Sequence, residues 1–204
     1  VFAPDEQHML ENVCRSIIES GGYRMCWVGY AENDEARSVR AVAHAGMDED
    51  YVKSIRVTWK DEELGRGPTG RAIRENRVVA ARFIDTDPDY APWREAARRH
   101  GYASSISLPL LGRSGGAGGA LMVYSVAPDA FDDDEVHHLL NLANALSFGI
   151  TALRDRIANE RAQAEVRIAA DRLKRLLASS PVVLYSLNAS AATSVVTSVS
   201  ENLP

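Results

Sequence analysis

Cysteine is scarce in this sequence: Cys14 and Cys26 are the whole complement. They stand far apart with no C-x-x-C spacing, which argues against a zinc site, a redox pair and a disulfide framework, and fits a reducing, cytoplasmic setting. A basic excess is also missing. Lys and Arg total 23 against 28 Asp and Glu, a net charge of -5, so no surplus of positive charge exists to neutralise a phosphate backbone and no nucleic-acid partner is expected. No run approaches the roughly 20 apolar residues of a membrane span. The opening VFAPDEQHML lacks the basic and apolar regions of a signal peptide, so no membrane contact is expected of this segment. What the chain does have is 46% hydrophobic residues over 204 positions, enough for one domain with an appendage.

The elements can be read from periodicity. Residues 4 to 20 place Met9 or Leu10, Val13, Ile17 and Ile18 at helical intervals, with Pro4 and acids at the start and Gly21-Gly22 at the end, which predicts an amphipathic helix. YRMCWVGYA (23 to 31) and the alternating Arg37 to Ala45 read as an antiparallel pair joined by ENDEA. A short polar helix is expected near Asp48 to Ser54. Further strands are expected at IRVTW (55 to 59), VVAARFI (78 to 84), Ser104 to Leu111 and Ala117 to Val126, the last two joined by GRSGGAGG. Pro68 suits the first turn of a helix that continues to about Glu75, and WREAARRHG forms another, stopped by Gly101. The expectation is an α+β fold with one antiparallel sheet of about six strands flanked by helices.

A long C-terminal helix follows. Asp132 to Glu135 place acids at its start, where they complement the helix dipole and supply a cap. Leu139, Ala143, Leu146, Ile150, Leu153 and Ile157 then recur in steps of four and three, a heptad seam that predicts a dimer stem. The register falters at Asn159 to Arg161 and resumes displaced as Ala162, Val166, Ala169, Leu173 and Leu176. Residues 179 to 204 switch to two β-rich runs, too few for a stable domain in water, so a second domain is expected to begin there.

LGRGPTGRAI (64 to 73) contains G-x-G-x-x-G as Gly65, Gly67 and Gly70. A dinucleotide loop needs a buried strand delivering its first glycine, whereas Lys60 to Glu63 is a charged approach that repels a pyrophosphate. No Gly-Lys-Ser/Thr follows, which excludes a Walker loop. The structural reading is preferred: glycines allow a tight entry to a helix packed on the sheet. No Ser-His-Asp set or G-x-S-x-G elbow can be argued. His137-His138 point about 100° apart on a helix and do not converge on a metal.

GRGPTGRAIRENRVV, then FIDTDPDYAPW, YASSISLPLL and GGALMVYS together resemble a GAF domain of the kind found in bacterial sensory proteins, over roughly residues 4 to 153. PVVLYSLN followed by TSVVTSVSENL is similar to the opening strands of a PAS domain. The implied order is a GAF-like domain over 1-153, a helical coiled-coil linker over 154-178 and the N-terminal fragment of a PAS domain over 179-204. The GAF resemblance implies a ligand pocket between the sheet and helices on one face, with Phe83, Asp85, Tyr90, Trp93, Tyr102, Ser105, Ser107 and Tyr124 as candidate lining. Those aromatics could equally fill a core. The resemblance also implies that a covalent bilin would need a cysteine near residues 93 to 107, and none is there. The Asn-Lys-x-Phe-Asp-Glu signature of cyclic-nucleotide GAF domains is missing, and the cofactor stays unknown.

The function expected is therefore a non-catalytic sensory module of a histidine kinase or cyclic-di-GMP enzyme, forming a homodimer through its first and last helices and binding a small molecule. The alternatives are a ligand-free dimerisation and relay element and a GAF-fold enzyme.

Overall fold

The computed structural model describes residues 4–46, 51–52, 55–113, 115–178, 185–189 and 194–199. The chain divides into two units, Val1–Leu153 and Arg154–Pro204. The first is built on a five-stranded antiparallel sheet in the order β2-β1-β5-β4-β3. Its strands are β1 (Met25–Ala31), β2 (Val39–Gly46), β3 (Val79–Ala81), β4 (Ser104–Leu111) and β5 (Ala117–Ser125).

Alternation along the strands gives each face its own core. On one face, Cys26 and Val28 of β1, Ile106, Leu108 and Leu110 of β4, and Leu121 and Val123 of β5 pack beneath two helices. These are α1 (Pro4–Gly21) and the first part of α4 (Asp133–Ala178), which contribute Leu10, Cys14 and Ile17, and Leu139, Ala143, Leu146 and Ile150. On the other face, Met25, Trp27, Ala120, Met122 and Tyr124 meet the short helices α2 (Pro68–Glu75) and α3 (Arg94–Arg99) and the turns around them. A sheet covered on both faces explains why β1 and β5 are buried almost end to end.

The helix ends follow from their local sequence. Asp132 accepts the Glu135 backbone N–H at 2.9 Å, the cap expected for α4. Gly22, at φ 69, takes the left-handed conformation that ends α1, and its N–H returns to the Ile18 carbonyl at 3.3 Å. Buried Glu6 in the first turn of α1 accepts the Tyr30 hydroxyl at 2.8 Å, fastening α1 to β1.

Three expectations are corrected. Residues 55–59 form a single bridge, Ser38 to Thr58, rather than a sixth strand. The Val57 carbonyl accepts from Val39 and Thr58 donates to Leu64, so the segment turns away before a ladder can extend. The strand expected over 78 to 84 is limited to three residues, because exposed Arg82 and Phe83 leave the sheet. Most consequentially, Leu139, Ala143, Leu146 and Ile150 are not a free dimer stem: they are buried against the chain's own sheet. Leu153 and Ile157 are half-buried. An apolar heptad marks a face that is covered, whether by a partner helix or by the same domain.

The short helix expected near Asp48 to Ser54 lies outside the described residues except at Tyr51 and Val52. In the second unit, α4 continues to Ala178, and β6 (Tyr185–Ala189) pairs antiparallel with β7 (Ser194–Val199). Among the described residues no helix is long and apolar enough to cross a membrane.

Because Leu146 belongs to the domain core, Leu146→Ala is expected to cost about 2–5 kcal/mol of folding stability. Melting followed by circular dichroism should show a loss independent of protein concentration; a loss that vanishes on dilution would return this residue to an intermolecular seam.

Candidate functional site

The G-x-x-G-R-A-I and D-x-D-P segments come together over the second face of the sheet. Gly67 precedes Pro68, the first residue of α2. A Cβ on Gly67 would strike the Trp93 indole, and one on Gly70 would run into the Gly65 and Thr58 carbonyls. These glycines therefore serve close approach, in an antiparallel sheet that lacks the parallel strands of a dinucleotide fold.

The D-x-D-P segment winds into a 3-10 turn over Pro88–Trp93, with the Asp87 carboxylate accepting the Asp89 N–H at 2.9 Å. Arg71 of α2 reaches Asp89 at 3.1 Å, tying the two motifs together. Trp93 donates its indole N–H to the Arg56 carbonyl at 3.0 Å and is thereby held over the helix entry.

Between these segments and the sheet lies a cavity of about 20 Å³, lined by Tyr51, Ile55, Val57, Gly67, Pro68, Thr69, Tyr90, Trp93, Ser105 and Tyr124. That volume admits about one water molecule. Side chains of the protein itself occupy most of the surrounding space. The Tyr51 ring stands edge-on to Tyr102 and Tyr124, with centroids 5.1 and 5.7 Å away, and Tyr102 and Tyr124 are 5.0 Å apart.

The polar ends of these side chains are linked. The Trp27 indole N–H donates to the Tyr124 hydroxyl at 3.3 Å, the Tyr51 and Tyr90 hydroxyls are 3.4 Å apart, and those of Thr69 and Ser107 are 3.3 Å apart. Burial raises the Tyr51, Tyr90 and Tyr124 phenols above their ordinary range. At Tyr124 the Trp27 hydrogen bond opposes that rise. The result is an aromatic chamber with hydroxyl groups at its centre, facing the N-terminal end of α2. Such a chamber can take up a small polar or aromatic guest if its own side chains move.

Of the eight candidate residues, the cavity wall brings together Tyr90, Trp93, Ser105 and Tyr124. Tyr102 and Ser107 are buried one layer away: Tyr102 points its hydroxyl at the Met25 sulfur, 3.3 Å away, and Ser107 meets Thr69. Phe83 and Asp85 stand apart. Phe83 is 51% exposed, and Asp85 forms an exposed ion pair with Arg98 at 2.6 Å. Both lie where the chain turns away from the sheet after β3. Sequence reasoning missed Tyr51, Ile55, Val57 and Thr69. The 55/57 alternation in IRVTW and the position of Thr69 beside Pro68 were the available signals.

The two cysteines, distant in sequence, meet in the core. α1 packs on β1 so that Cys14 and Cys26 are hydrogen-bonded neighbours, and burial, followed by that contact, raises the Cys26 thiol. Both thiols are free and belong to the core on the face opposite the cavity. His137 and His138 are exposed, with ring centroids 6.4 Å apart. Among the described residues no group of His, Cys, Asp and Glu has an arrangement that could hold a metal. A larger open groove of about 510 Å³ runs between α1 and β2 past Gln7, Glu11, Arg15 and His44, without the aromatic wall of the smaller cavity.

A family model described as "GAF domain" matches residues 3–151. No curated protein gives a significant match. Among solved structures, free methionine-R-sulfoxide reductase from Neisseria meningitidis, in complex with its substrate, is similar at 22% identity with a TM-score of 0.62, over 74% of this chain and 81% of that one. A domain of a protein described as a two-component sensor histidine kinase from Sinorhizobium meliloti 1021 is 21% identical with a TM-score of 0.58, over 78% of this chain and 99% of that one. The GAF domain of a phosphoenolpyruvate-protein phosphotransferase from Coxiella burnetii is 18% identical with a TM-score of 0.60, over 76% and 88%. At these identities the likeness is one of fold. The reductase shows that the fold also carries enzymes.

The tyrosine cluster has a consequence at alkaline pH. Unfolded phenols ionise near 10.0, whereas the buried ones hold their protons to higher pH. The folded state therefore binds protons that the unfolded state releases, and stability present below pH 10 falls as pH rises beyond it. Urea unfolding from about pH 9 to about pH 11 should show this decline. Phenolate absorbance from these residues should appear only with unfolding; early ionisation at constant tertiary structure would contradict the packing.

Proposed function

The chain belongs to the GAF domain family, whose members are typically sensory or regulatory modules of signalling proteins, and from that premise we propose that it is a non-catalytic, ligand-responsive relay. The small molecule enters the chamber between the α2 entry and the sheet, and its arrival changes the packing of α1 and α4. Those helices pass the change to a homodimeric stem and from there to a PAS domain beginning in residues 179–204. The parent protein is a cytoplasmic histidine kinase or cyclic-di-GMP enzyme.

One observation carries this reading: the strands that wall the chamber are also the floor for the helices. Tyr124 and Trp27 face the chamber, while their chain neighbours Val123, Cys26 and Val28 lie under α1 and α4. A guest larger than one water must displace side chains of the wall, and a displaced side chain at this packing density moves the backbone it shares with the opposite face. The cysteines, buried on the helix-covered face, offer no nucleophile to the chamber, which argues against a thiol enzyme here.

The second reading, a ligand-free dimerisation and relay element, draws on the same cavity, since its volume of about 20 Å³ admits about one water molecule. The two readings separate in a thermal-shift and native mass spectrometry screen with nucleotides, tetrapyrroles and aromatic metabolites. A ligand at 100-fold excess over its Kd stabilises by about 2.7 kcal/mol. The shift should disappear in Ser105→Phe, which fills the chamber. A full panel without binding favours the ligand-free element, and binding unchanged by Ser105→Phe places the ligand elsewhere.

A further inference from the structure

The chamber presents rings and hydroxyl groups and turns charge away. None of the ten described residues in its wall carries a formal charge. Charged side chains of the surrounding segments are engaged elsewhere: Arg71 pairs with Asp89 and Glu75, and Arg94 donates to the Ile84 and Asp87 carbonyls. His100 stands against the rings of Tyr51 and Tyr102 rather than in the cavity wall. The hydrogen bonds at the chamber run head to tail. The Trp27 indole N–H donates to the Tyr124 hydroxyl at 3.3 Å, the Tyr124 and Tyr90 hydroxyls are bonded, and Tyr90 is bonded in turn to Ser105. The indole can only donate, and every hydroxyl after it both gives and takes a hydrogen bond.

Resting on the relay reading above, we infer that the ligand of this chamber is an uncharged aromatic molecule bearing a hydroxyl group, of the phenol class. A hydroxyl inserts into a head-to-tail chain and leaves no end unpaired, as a water molecule does in a polar cavity of about 20 Å³. A carboxylate or phosphate accepts on every side, an ammonium donates on every side, and an ether cannot donate, so each strands a neighbour. Charge carries a second penalty. An anion has no cation facing it in the described wall, and a cation meets the N-terminal end of α2, where the helix dipole is positive. Burying either without a partner is costly. The aromatic body follows from packing. A guest takes the room that a wall side chain gives up, and four of those side chains are the rings of Tyr51, Tyr90, Trp93 and Tyr124. Tyr51 holds Tyr102 and Tyr124 edge-on, with centroids 5.1 and 5.7 Å away. A phenol reproduces both the edge of such a ring and its hydroxyl, so it exchanges for a tyrosine side chain with little loss of contact.

The test uses the full 204-residue chain and probes of similar size: phenol, anisole, benzoate and benzylammonium. Calorimetry at neutral pH should rank phenol first, anisole about 10-fold weaker for want of a donor, and the two ions at least about 100-fold weaker. Tyr90→Phe interrupts the hydroxyl chain and keeps the ring, so phenol should lose about 10-fold and anisole less. 4-Nitrophenol gives an optical readout, since it is yellow only as the phenolate. Near its own ionisation pH, binding should bleach it, because the chamber takes the neutral form. Benzoate or benzylammonium binding as tightly as phenol, or bound nitrophenol that stays yellow, overturns the hydroxyl class; where Ser105→Phe abolishes that binding, the ligand-responsive relay stands. Phenol binding that neither Tyr90→Phe nor Ser105→Phe weakens lies outside the chamber and overturns the assignment too. If phenol fails while another member of the wider panel binds in the chamber, the ligand class falls and the relay stands. No binding by any compound overturns both together.

Discussion

Both faces of one thin sheet are buried, and every other feature of the first unit depends on that constraint. A strand has only two sides, so consecutive residues must serve different cores. Cys26 and Val28 look toward α1 and α4, and Met25 and Trp27 look toward the tyrosine chamber. Neither core can be repacked alone, because the side chains of both grow from the same backbone.

This constraint couples the packing of the chamber to the packing beneath the helices. The chamber is small, and its hydroxyl groups bond to one another and to the Trp27 indole. What the geometry can do is exchange internal packing for a guest. The two thiols of this chain lie across the sheet from the chamber. A shared fold leaves activity to be argued from the residues at the site.

Much of the architecture was legible in the sequence because period reports burial. The 3.6-residue repeat of α1, the alternation of β2 and the acidic start of α4 each had one physical interpretation. Period fails where it reports that a face is covered without saying by what. Leu139 to Ile150 satisfy a heptad as well as any coiled coil does, yet their cover is the sheet of the same chain. At the site, Tyr90, Trp93, Ser105 and Tyr124 were reachable through motif position, whereas Phe83 and Asp85 were misplaced because their side chains follow a bend that no local pattern encodes. Ile55 and Val57 have strand-like composition but form a cavity wall, since the chain finds only one bridge before it turns.

Arg74 stands somewhat behind this site, at the far end of α2. Its guanidinium gathers the carbonyls of Trp59, Lys60, Gly65 and Gly70, at 3.3, 3.3, 2.9 and 3.5 Å. The loop therefore takes its shape from a residue that follows it in the chain, and loop and helix must order together as one cooperative folding unit. All four oxygens surround a single terminal nitrogen, Nη1. The loop at the edge of the chamber is thus held from within the helix that it introduces.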